Sequence, residues 1–284
     1  MKRILLLLIV AVIGTAAATA RHFYYTYEGK TMTYTVLDEA AKTVSVNGFG
    51  LSGDIIIPEK ACEYGLDEYS VVSIEDRAFF TCTDLTSVSI PESVTYVGVD
   101  VFNSKALTKA EFASIESLCK INFANCASNP LYYTHHLYIK GEEIKDLVIP
   151  ETVTSIGAYA FYGCSSITSV TIPRSVSVIG DSAFGGCNKI KLVSVKSIYP
   201  PAVSVIGDAT LYAKAILDIP AGSLQNYLDS EWRNFDNIRE NGLMAKTYSD
   251  GVLQYRLLPD TVNREAILVR GDYSDVEEVS IPER

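Results

Sequence analysis

Short runs of alternating apolar and small polar residues recur along this chain, and most of them end at a proline. In the run 85–90, Val88 and Ile90 fall on one side while Ser87 and Ser89 fall on the other, which is the period-2 pattern of a half-buried strand. The proline that follows has no N–H to donate, so it ends the strand. The Ile-Pro pairs are Ile57-Pro58, Ile90-Pro91, Ile149-Pro150, Ile172-Pro173, Ile219-Pro220 and Ile281-Pro282.

These runs recur at a nearly constant interval. Pro150 and Pro173 are 23 residues apart, and each is followed by the same order of Val, Ile-Gly, Ala-Phe and Cys. Weaker copies extend the pattern toward the N-terminus, where Phe79, Phe102 and Phe123 are 23 and 21 residues apart. A fixed period of this length indicates a solenoid, in which stacked units bury the apolar faces that no unit could bury alone.

Two further positions of the repeat suggest its turns. Gly98, Gly157 and Gly180 follow the second apolar pair, where we expect a tight bend to favour a residue without a Cβ. The Phe and Cys of Ala-Phe-x-x-Cys are three residues apart and so share one side of a helical or 3₁₀ turn. We therefore predict a mostly β solenoid with one short parallel strand per coil of about 23 residues.

The units resemble leucine-rich repeats of the BspA type, found in bacterial surface proteins, whose pattern is close to L-x-x-V-x-I-P-x-x-V-x-x-I-G-x-x-A-F-x-x-C. The resemblance covers roughly 53–220 and is almost complete in the copies at Pro150 and Pro173. Segment 129–147 resembles a hairpin insertion of that family, and 219–238 resembles its closing segment. The resemblance implies a leucine-rich repeat solenoid in a secreted or surface-exposed binding protein, and it does not imply a ligand.

The N-terminus has the pattern of a signal peptide. Lys2 and Arg3 precede an apolar run at 4–13 and then small residues that end in Ala18-Thr19-Ala20, a cleavage site of the A-x-A kind. Ten apolar residues are too few for a membrane span, and we expect no transmembrane segment in the mature chain. We therefore expect cleavage near Ala20 and a secreted or cell-surface protein.

The remaining sequence divides into modules. We expect an N-terminal β-hairpin cap, a solenoid with one insertion and a helical closing segment, and the beginning of a second module, because 250–282 repeats the layout of 28–58. This layout suggests a fragment or truncated product of a longer tandem array, with a poorly packed tail. The predicted parts are 1–20 (signal peptide), 21–52 (cap), 53–243 (solenoid, with the insertion near 129–146 and the closing segment 221–243) and 244–284 (second module).

Charge excludes some partners. Removing the first 20 residues leaves 22 basic and 34 acidic residues, a net charge of −12 with histidine neutral. Such a surface repels nucleic acid and acidic lipid.

The sequence favours a protein without catalysis. It contains no Gly-rich phosphate loop, no HExxH and no GxSxG, and no nucleophile stands beside a base. The adjacent His135 and His136 would point to opposite sides of a strand, so they cannot chelate one metal, and we expect them in an exposed turn. We predict no catalytic, cofactor-binding or metal-binding residue.

Six cysteines in a secreted chain raise the question of disulfides. Cys82, Cys126, Cys164 and Cys187 occupy one repeat position, about 4.8 Å apart when coils stack. A bridge is compatible with that distance, but the inward side chains would have to turn sideways. We expect a buried column of small apolar side chains.

Outward strand positions and tyrosines are the candidate binding residues. We expect Ser87, Asp146, Ser169 and Leu192 in one lane and Ser89, Val148, Thr171 and Ser194 in the next, a flat face suited to an extended partner. Tyrosine accounts for 18 of the 284 residues and is enriched in recognition surfaces, although these rings could instead cover coil edges and the lanes could be merely solvated. The candidate ligand-facing residues are Ser87, Ser89, Asp146, Ser169, Thr171, Ser194, Tyr132, Tyr133 and Tyr138.

Two classes of function follow. The first is an adhesin-like module that binds an extracellular protein of the host or of neighbouring cells. The second is a glycan-binding module or a structural spacer that displays further domains.

Overall fold

The structure is a computed structural model that describes residues 21–240 except 64 and 66, together with the backbone of four strands within 243–270. The strands are β1 (His22–Tyr27), β2 (Lys30–Asp38), β3 (Thr43–Asn47), β4 (Ser52–Ile56), β5 (Lys60–Glu63), β6 (Asp67–Ile74), β7 (Asp84–Ile90), β8 (Tyr96–Val97), β9 (Lys109–Phe112), β10 (Asn122–Phe123), β11 (Leu137–Ile139), β12 (Glu142–Glu143), β13 (Asp146–Val148), β14 (Ser155–Ile156), β15 (Ser169–Ile172), β16 (Val178–Ile179), β17 (Leu192–Val195), β18 (Ile216–Ile219), β19 (Asn237–Glu240), β20 (Leu243–Met244), β21 (Thr247–Ser249), β22 (Gln254–Leu257) and β23 (Ala266–Arg270).

The helices are short. They are α1 (Ile115–Lys120), α2 (Leu131–Thr134), α3 (Ala209–Lys214) and α4 (Leu224–Leu228), with 3₁₀ turns at Cys126–Ser128 and Glu231–Asn234. Within the part of the chain that the structure describes, no helix is long and apolar enough to cross a membrane. The predicted signal peptide at 1–20 lies outside the described residues.

The coils build a parallel front sheet that is divided into two ladders. The first ladder runs β4–β7–β9–β11 and ends at the antiparallel strand β12, whereas the second runs β13–β15–β17–β18–β19 and ends at the antiparallel strand β20. The strands keep the register that the repeat predicts, since Leu147 lies beside Val170 and Val170 beside Val193. The predicted solenoid, with one such strand per coil, is confirmed.

A rear sheet, which the sequence did not reveal, lies on the opposite side of the coils. It consists of β1–β2–β3–β6–β8–β10 and the separate pair β14–β16, with β5 added to β6 as an antiparallel hairpin. In the best-matching coils the rear strand is only two residues long, such as Val178–Ile179, which immediately precedes Gly180.

The core is a continuous stack of apolar side chains from successive coils. Cys82, Cys164 and Cys187 are buried in it as predicted, and Cys126 at the same repeat position is partly exposed. All six cysteines lie in the described region and none forms a disulfide. The cysteines of this column therefore serve as small apolar side chains.

The repeat glycines are required by close stacking of neighbouring coils and not by a bend. A Cβ on Gly157 would lie 2.4 Å from the carbonyl oxygen of Ile121, and a Cβ on Gly180 would lie 2.3 Å from the backbone nitrogen of Ala158. Neither glycine has a positive φ. We expected a tight bend to explain these glycines, and that explanation is wrong. The backbones of neighbouring coils come so close at these positions that a side chain would not fit between them.

The N-terminal cap extends the rear sheet. The predicted hairpin is confirmed as β2 and β3, and β1 adds an antiparallel third strand. Strand β3 pairs in parallel with β6, and the carboxylate of Glu75, just after β6, accepts hydrogen bonds from Ser45 (2.6 Å) and Asn47 (3.0 Å) of β3 and from Thr35 of β2. These contacts join the cap to the first coil.

The front sheet has an open N-terminal edge with two protective features. Among the described residues, β4 pairs with β7 alone, and its register shifts between Gly53 and Asp54. The ammonium of Lys30 donates to the carbonyl oxygen of Ser52 at 2.6 Å. A bulge and a lysine are common protections of an edge strand against pairing with another chain.

The closing segment is helical only in its first half. The buried indole of Trp232 donates to the carbonyl oxygen of Pro201 at 2.9 Å, and the hydroxyl of Tyr227 donates to that of Ser197 at 2.7 Å. Strand β19 then continues the front ladder beside β18. Farther on, β21, β22 and β23 pair as an antiparallel sheet, while the rest of the predicted second module at 244–284 lies outside the described residues.

Candidate binding surface

The first ladder presents two rows of outward side chains. The hydroxyl of Ser87 donates to the carboxylate of Asp54 at 2.6 Å, and the hydroxyl of Thr86 donates to the same oxygen at 2.7 Å. These hydrogen bonds, that of Ser87 first, hold the pKa of Asp54 below its ordinary value. Ser87 is thus already engaged, whereas Ser89 is partly exposed. The rows are Asp54–Ser87–Lys109 and Ile56–Ser89–Glu111–Tyr138.

The second ladder continues the pattern with its own two rows. The sequence predicted Ser87 and Asp146 in one lane, but they lie in different ladders because β12 turns back antiparallel and ends the first one. Asp146 accepts a hydrogen bond from Ser169 at 2.7 Å, as Asp54 does from Ser87. The rows are Asp146–Ser169–Leu192–Ile216–Asn237 and Val148–Thr171–Ser194–Asp218–Arg239.

The four candidate residues of the second ladder differ in how far they are exposed to solvent. Asp146 is exposed, and Ser169 and Thr171 are partly exposed. Ser194 is only 6% exposed, and its hydroxyl accepts a hydrogen bond from the ammonium of Lys196 at 2.8 Å. Ser194, which we expected to face a ligand, is therefore buried, and its hydroxyl already bonds the side chain of Lys196, the residue just after β17.

Apolar side chains are the part of this surface that our candidate residues omitted. Val148 is 57% exposed in the second ladder and Ile56 is 44% exposed in the first. Both occupy outward positions of the period-2 pattern, so the signal was present in the sequence. The front face therefore combines hydroxyl, carboxylate and aliphatic groups.

The three tyrosine candidates lie in two places. Tyr138 lies in the front sheet, with the ammonium of Lys109 5.2 Å from its ring centroid. Tyr132 and Tyr133 lie on α2, outside the front sheet, and the hydroxyl of Tyr133 donates to the carbonyl oxygen of Phe102. With Tyr159 and Tyr162 they form a cluster in which neighbouring centroids are 5.0–6.0 Å apart. We call these four residues the tyrosine cluster.

A groove of about 260 Å³ crosses the first ladder where its strands end. Its lining includes the repeat prolines Pro58 and Pro91 and the outward residue Ile56. Tyr27, at the β1–β2 turn, lines one end, and Lys140, at the β11–β12 turn, lines the other. We call this the proline groove.

Two buried thiols and the adjacent histidines are the groups most able to carry chemistry near this surface. Burial raises the pKa of Cys164 to about 11 and that of Cys119 to about 12, so both thiols stay protonated at neutral pH. His135 and His136 are exposed, as expected; the His135 ring hydrogen-bonds the carbonyl oxygen of Gly163 at 2.9 Å, and His136 pairs with Glu143 at 2.5 Å. Across the described residues, no group of three or more His, Cys, Asp and Glu side chains could hold a metal ion.

Comparison with known proteins places this architecture. No curated protein matches the sequence. Solved structures similar to the chain include a leucine-rich cell surface protein from Faecalibacterium prausnitzii (18% identity, 70% of each chain, TM-score 0.33). Others are a leucine-rich repeat protein from Bacteroides ovatus (22% identity, 75% of this chain and 52% of that one, TM-score 0.39) and one from T. pallidum (16% identity, 77% and 99%, TM-score 0.42). The BspA type leucine-rich repeat family model matches in six copies, at 64–130 and 135–239. Because these matches cover more than half of the sequence, the chain belongs to the BspA-type leucine-rich repeat family.

Proposed function

We propose that this chain is a secreted or cell-surface module that binds an extracellular protein of the host or of neighbouring cells through its front sheet. Leucine-rich repeat modules of this type generally bind proteins. The signal-peptide pattern at 1–20 supports export, and the negative charge of the mature chain disfavours nucleic acid and acidic lipid. No catalytic step is part of this proposal.

The single observation that carries the proposal is the composition of the second ladder's outward face. Val148, 57% exposed, lies beside Thr171, and both lie one row from the carboxylate of Asp146. Small hydroxyl and aliphatic groups leave room for a partner backbone or side chains to approach the sheet. A mixture of apolar contact area and a few hydrogen-bonding groups is typical of protein interfaces.

The test is capture of extracellular-matrix and cell-surface proteins by immobilised protein, with Val148→Arg as the disrupting variant. An arginine there places a large charged side chain on the proposed interface while the inward core residues stay in place. Val178→Arg is the matched control, because Val178 is 48% exposed on the rear strand β16. We expect Val148→Arg to reduce capture at least tenfold and Val178→Arg to leave it unchanged. Equal capture by both variants, or no capture by the unaltered protein, contradicts the proposal.

The tyrosine cluster favours a second candidate, glycan binding at the coil edge. Tyr132 is 41% exposed, and its ring centroid lies 6.0 Å from that of Tyr162. Tyrosine offers a flat apolar face with a polar hydroxyl, which suits a sugar ring. A glycan array distinguishes the candidates: binding to glycans alone, lost in Tyr132→Ala, supports this second function, and binding to neither glycan nor protein supports a structural spacer.

A further inference from the structure

The proline groove is bordered by two similar turns, which contribute Tyr27 and Lys140 to its lining. Glu28 and Gly29 connect β1 to β2 with φ values of 48° and 73°, and Lys140 and Gly141 connect β11 to β12 with φ values of 51° and 84°. Two consecutive positive φ values are typical of a type I′ hairpin turn. Between the turns lie β4, β7 and β9, so the groove is roughly three strand spacings, or about 14 Å, in length.

The volume restricts what the groove can hold. At about 260 Å³ it is smaller than a usual site for a drug-sized molecule, which is about 300–1,000 Å³. It therefore suits one long amino-acid side chain with its adjoining backbone. The floor at Ile56, Pro58 and Pro91 is apolar, so the body of that side chain should be apolar as well.

The charges of the groove call for a cation at one end. Among the described residues, no hydrogen bond or ion pair reaches the carboxylate of the exposed Glu59, although that carboxylate follows Pro58 directly. The other lining carboxylate, Glu111, is already neutralised by Lys109 at 2.8 Å and accepts a hydrogen bond from the amide of Gly141. Glu59 is thus the free acceptor, and Lys140 at the far turn favours a cation at the Tyr27 end. Lys30, the strand partner of Tyr27, directs its ammonium to the carbonyl oxygen of Ser52 at the start of β4 and not to Glu59.

We propose that the proline groove receives an arginine side chain of the partner protein. Its aliphatic stem covers Ile56 and the prolines, its guanidinium stacks on Tyr27, and that guanidinium pairs with Glu59. Arginine suits this site better than lysine because its planar group both stacks on aromatic rings and binds carboxylates in two-point contact. This inference rests on the proposed function, since it names the chemistry that one part of the front sheet recognises.

The test is titration of the isotope-labelled protein with N-acetylarginine N-methylamide, followed by backbone amide signals. The matched probe is N-acetylcitrulline N-methylamide, which has the same shape but no charge. We expect the arginine probe to shift the amide signals of Ile57, Glu59, Ile90 and Glu92, which flank the two prolines, with a dissociation constant in the millimolar range. We expect the citrulline probe to bind at least threefold more weakly. Equal binding of both probes, or shifts only elsewhere in the protein, overturns the proposal.

Three variants examine the individual contacts. Glu59→Gln and Tyr27→Leu should each weaken binding of the arginine probe about two- to fivefold, the range of one exposed ion pair or one cation–π contact. Glu151→Gln is the control, because Glu151 is exposed and follows Pro150 as Glu59 follows Pro58. If Glu59→Gln binds no more weakly than Glu151→Gln, the assignment of Glu59 is wrong.

The outcome is separable from that of the proposed function. If Val148→Arg abolishes capture of a protein partner while the citrulline probe binds as well as the arginine probe, the arginine site fails and the protein-binding function stands. If the arginine probe binds as described but no extracellular protein is captured, the groove has the stated preference and the proposed function fails.

Discussion

The phenyl rings of Phe161 and Phe184, at the same position in neighbouring coils, stack with centroids 5.2 Å apart and planes inclined by 8°. Phe79 and Phe102 repeat this arrangement at 5.8 Å and 10°. All four rings are almost completely buried. In each of these two pairs, neighbouring coils stack one ring on the other, and the contact between the rings couples the stability of one coil to that of the next.

Replacement of Phe184 by alanine should reduce the free energy of unfolding by about 3–5 kcal/mol, because it leaves a cavity and removes the ring that covers Phe161. Urea denaturation followed by circular dichroism measures the change. Phe80→Ala is the control, since Phe80 directly follows the buried Phe79 and is itself 41% exposed. We expect Phe80→Ala to reduce the free energy of unfolding by about 1 kcal/mol or less. Equal losses for the two variants contradict the stacked ring pairs as a main source of stability.

A left-handed residue recurs two positions before each of these phenylalanines. Arg77, Asp100, Tyr159 and Ser182 have φ values of 55°, 52°, 58° and 53°. Glycine adopts such a conformation without the cost of about 1–2 kcal/mol that a Cβ brings. Ser182→Gly should therefore raise the free energy of unfolding by up to about 1 kcal/mol, after the greater chain entropy of glycine in the unfolded state is subtracted.

Thermal unfolding tests this prediction through the direction in which Ser182→Gly shifts the melting temperature. Ser177→Gly is the control, because Ser177 is exposed in the same coil and has no positive φ. We expect Ser177→Gly to lower the free energy of unfolding by up to about 1 kcal/mol. A lower melting temperature for Ser182→Gly than for the unaltered protein would mean that the left-handed position is not strained.

The sequence was sufficient for those parts of the fold that depend on side-chain type and spacing. Val170 and Val193 are in register because the repeat is regular, and the repeat residues Phe184 and Cys187 are buried because they share the inward side of one turn. The rear sheet was not predictable in the same way. A rear strand such as Val178–Ile179 is too short to show a period of two.

The candidate surface was less predictable, because it depends on neighbours that are distant in sequence. A strict repeat places Ser87 and Asp146 in one lane, but the β11–β12 hairpin divides the sheet between them. Ser194 occupies an outward position, yet Lys196 covers it. The proline groove depends on Tyr27 and Lys140, whose turns meet the repeats only in the folded chain.

Glu75 should make the cap sensitive to acid. Burial raises the pKa of Glu75, but the hydrogen bonds from Ser45, Thr35 and Asn47 more than offset this and hold the pKa below its ordinary value of 4.5. A carboxylate whose pKa is lower in the folded state contributes stability above the unfolded pKa, and that stability is lost as the pH falls through the folded pKa. The Glu75 contribution should therefore be complete well above about pH 4.5 and be lost progressively as the pH falls from there through the lower folded-state pKa.

Denaturation of the Glu75→Gln variant between pH 3 and 7 measures this contribution. We expect the variant to be less stable than the unaltered protein at pH 7 and the difference to shrink toward pH 3. Glu142→Gln, at an exposed site on β12, is the control for loss of a carboxylate. A difference that is constant with pH excludes Glu75 as the source of acid sensitivity.

The six cysteines should divide into two reactivity classes in the folded protein. Cys82, Cys119, Cys164 and Cys187 are buried, and burial raises the pKa of each thiol, so little reactive thiolate forms near neutral pH. Cys62 and Cys126 are partly exposed. A thiol-specific disulfide reagent at pH 8 should therefore modify Cys62 and Cys126 in the native state and the other four only after unfolding in urea.

Peptide mass spectrometry identifies the modified positions, and a Cys126→Ser variant should lose one rapidly reacting thiol. Release of fewer than six thiols from the urea-unfolded protein in the absence of reductant would show that some of these cysteines are paired.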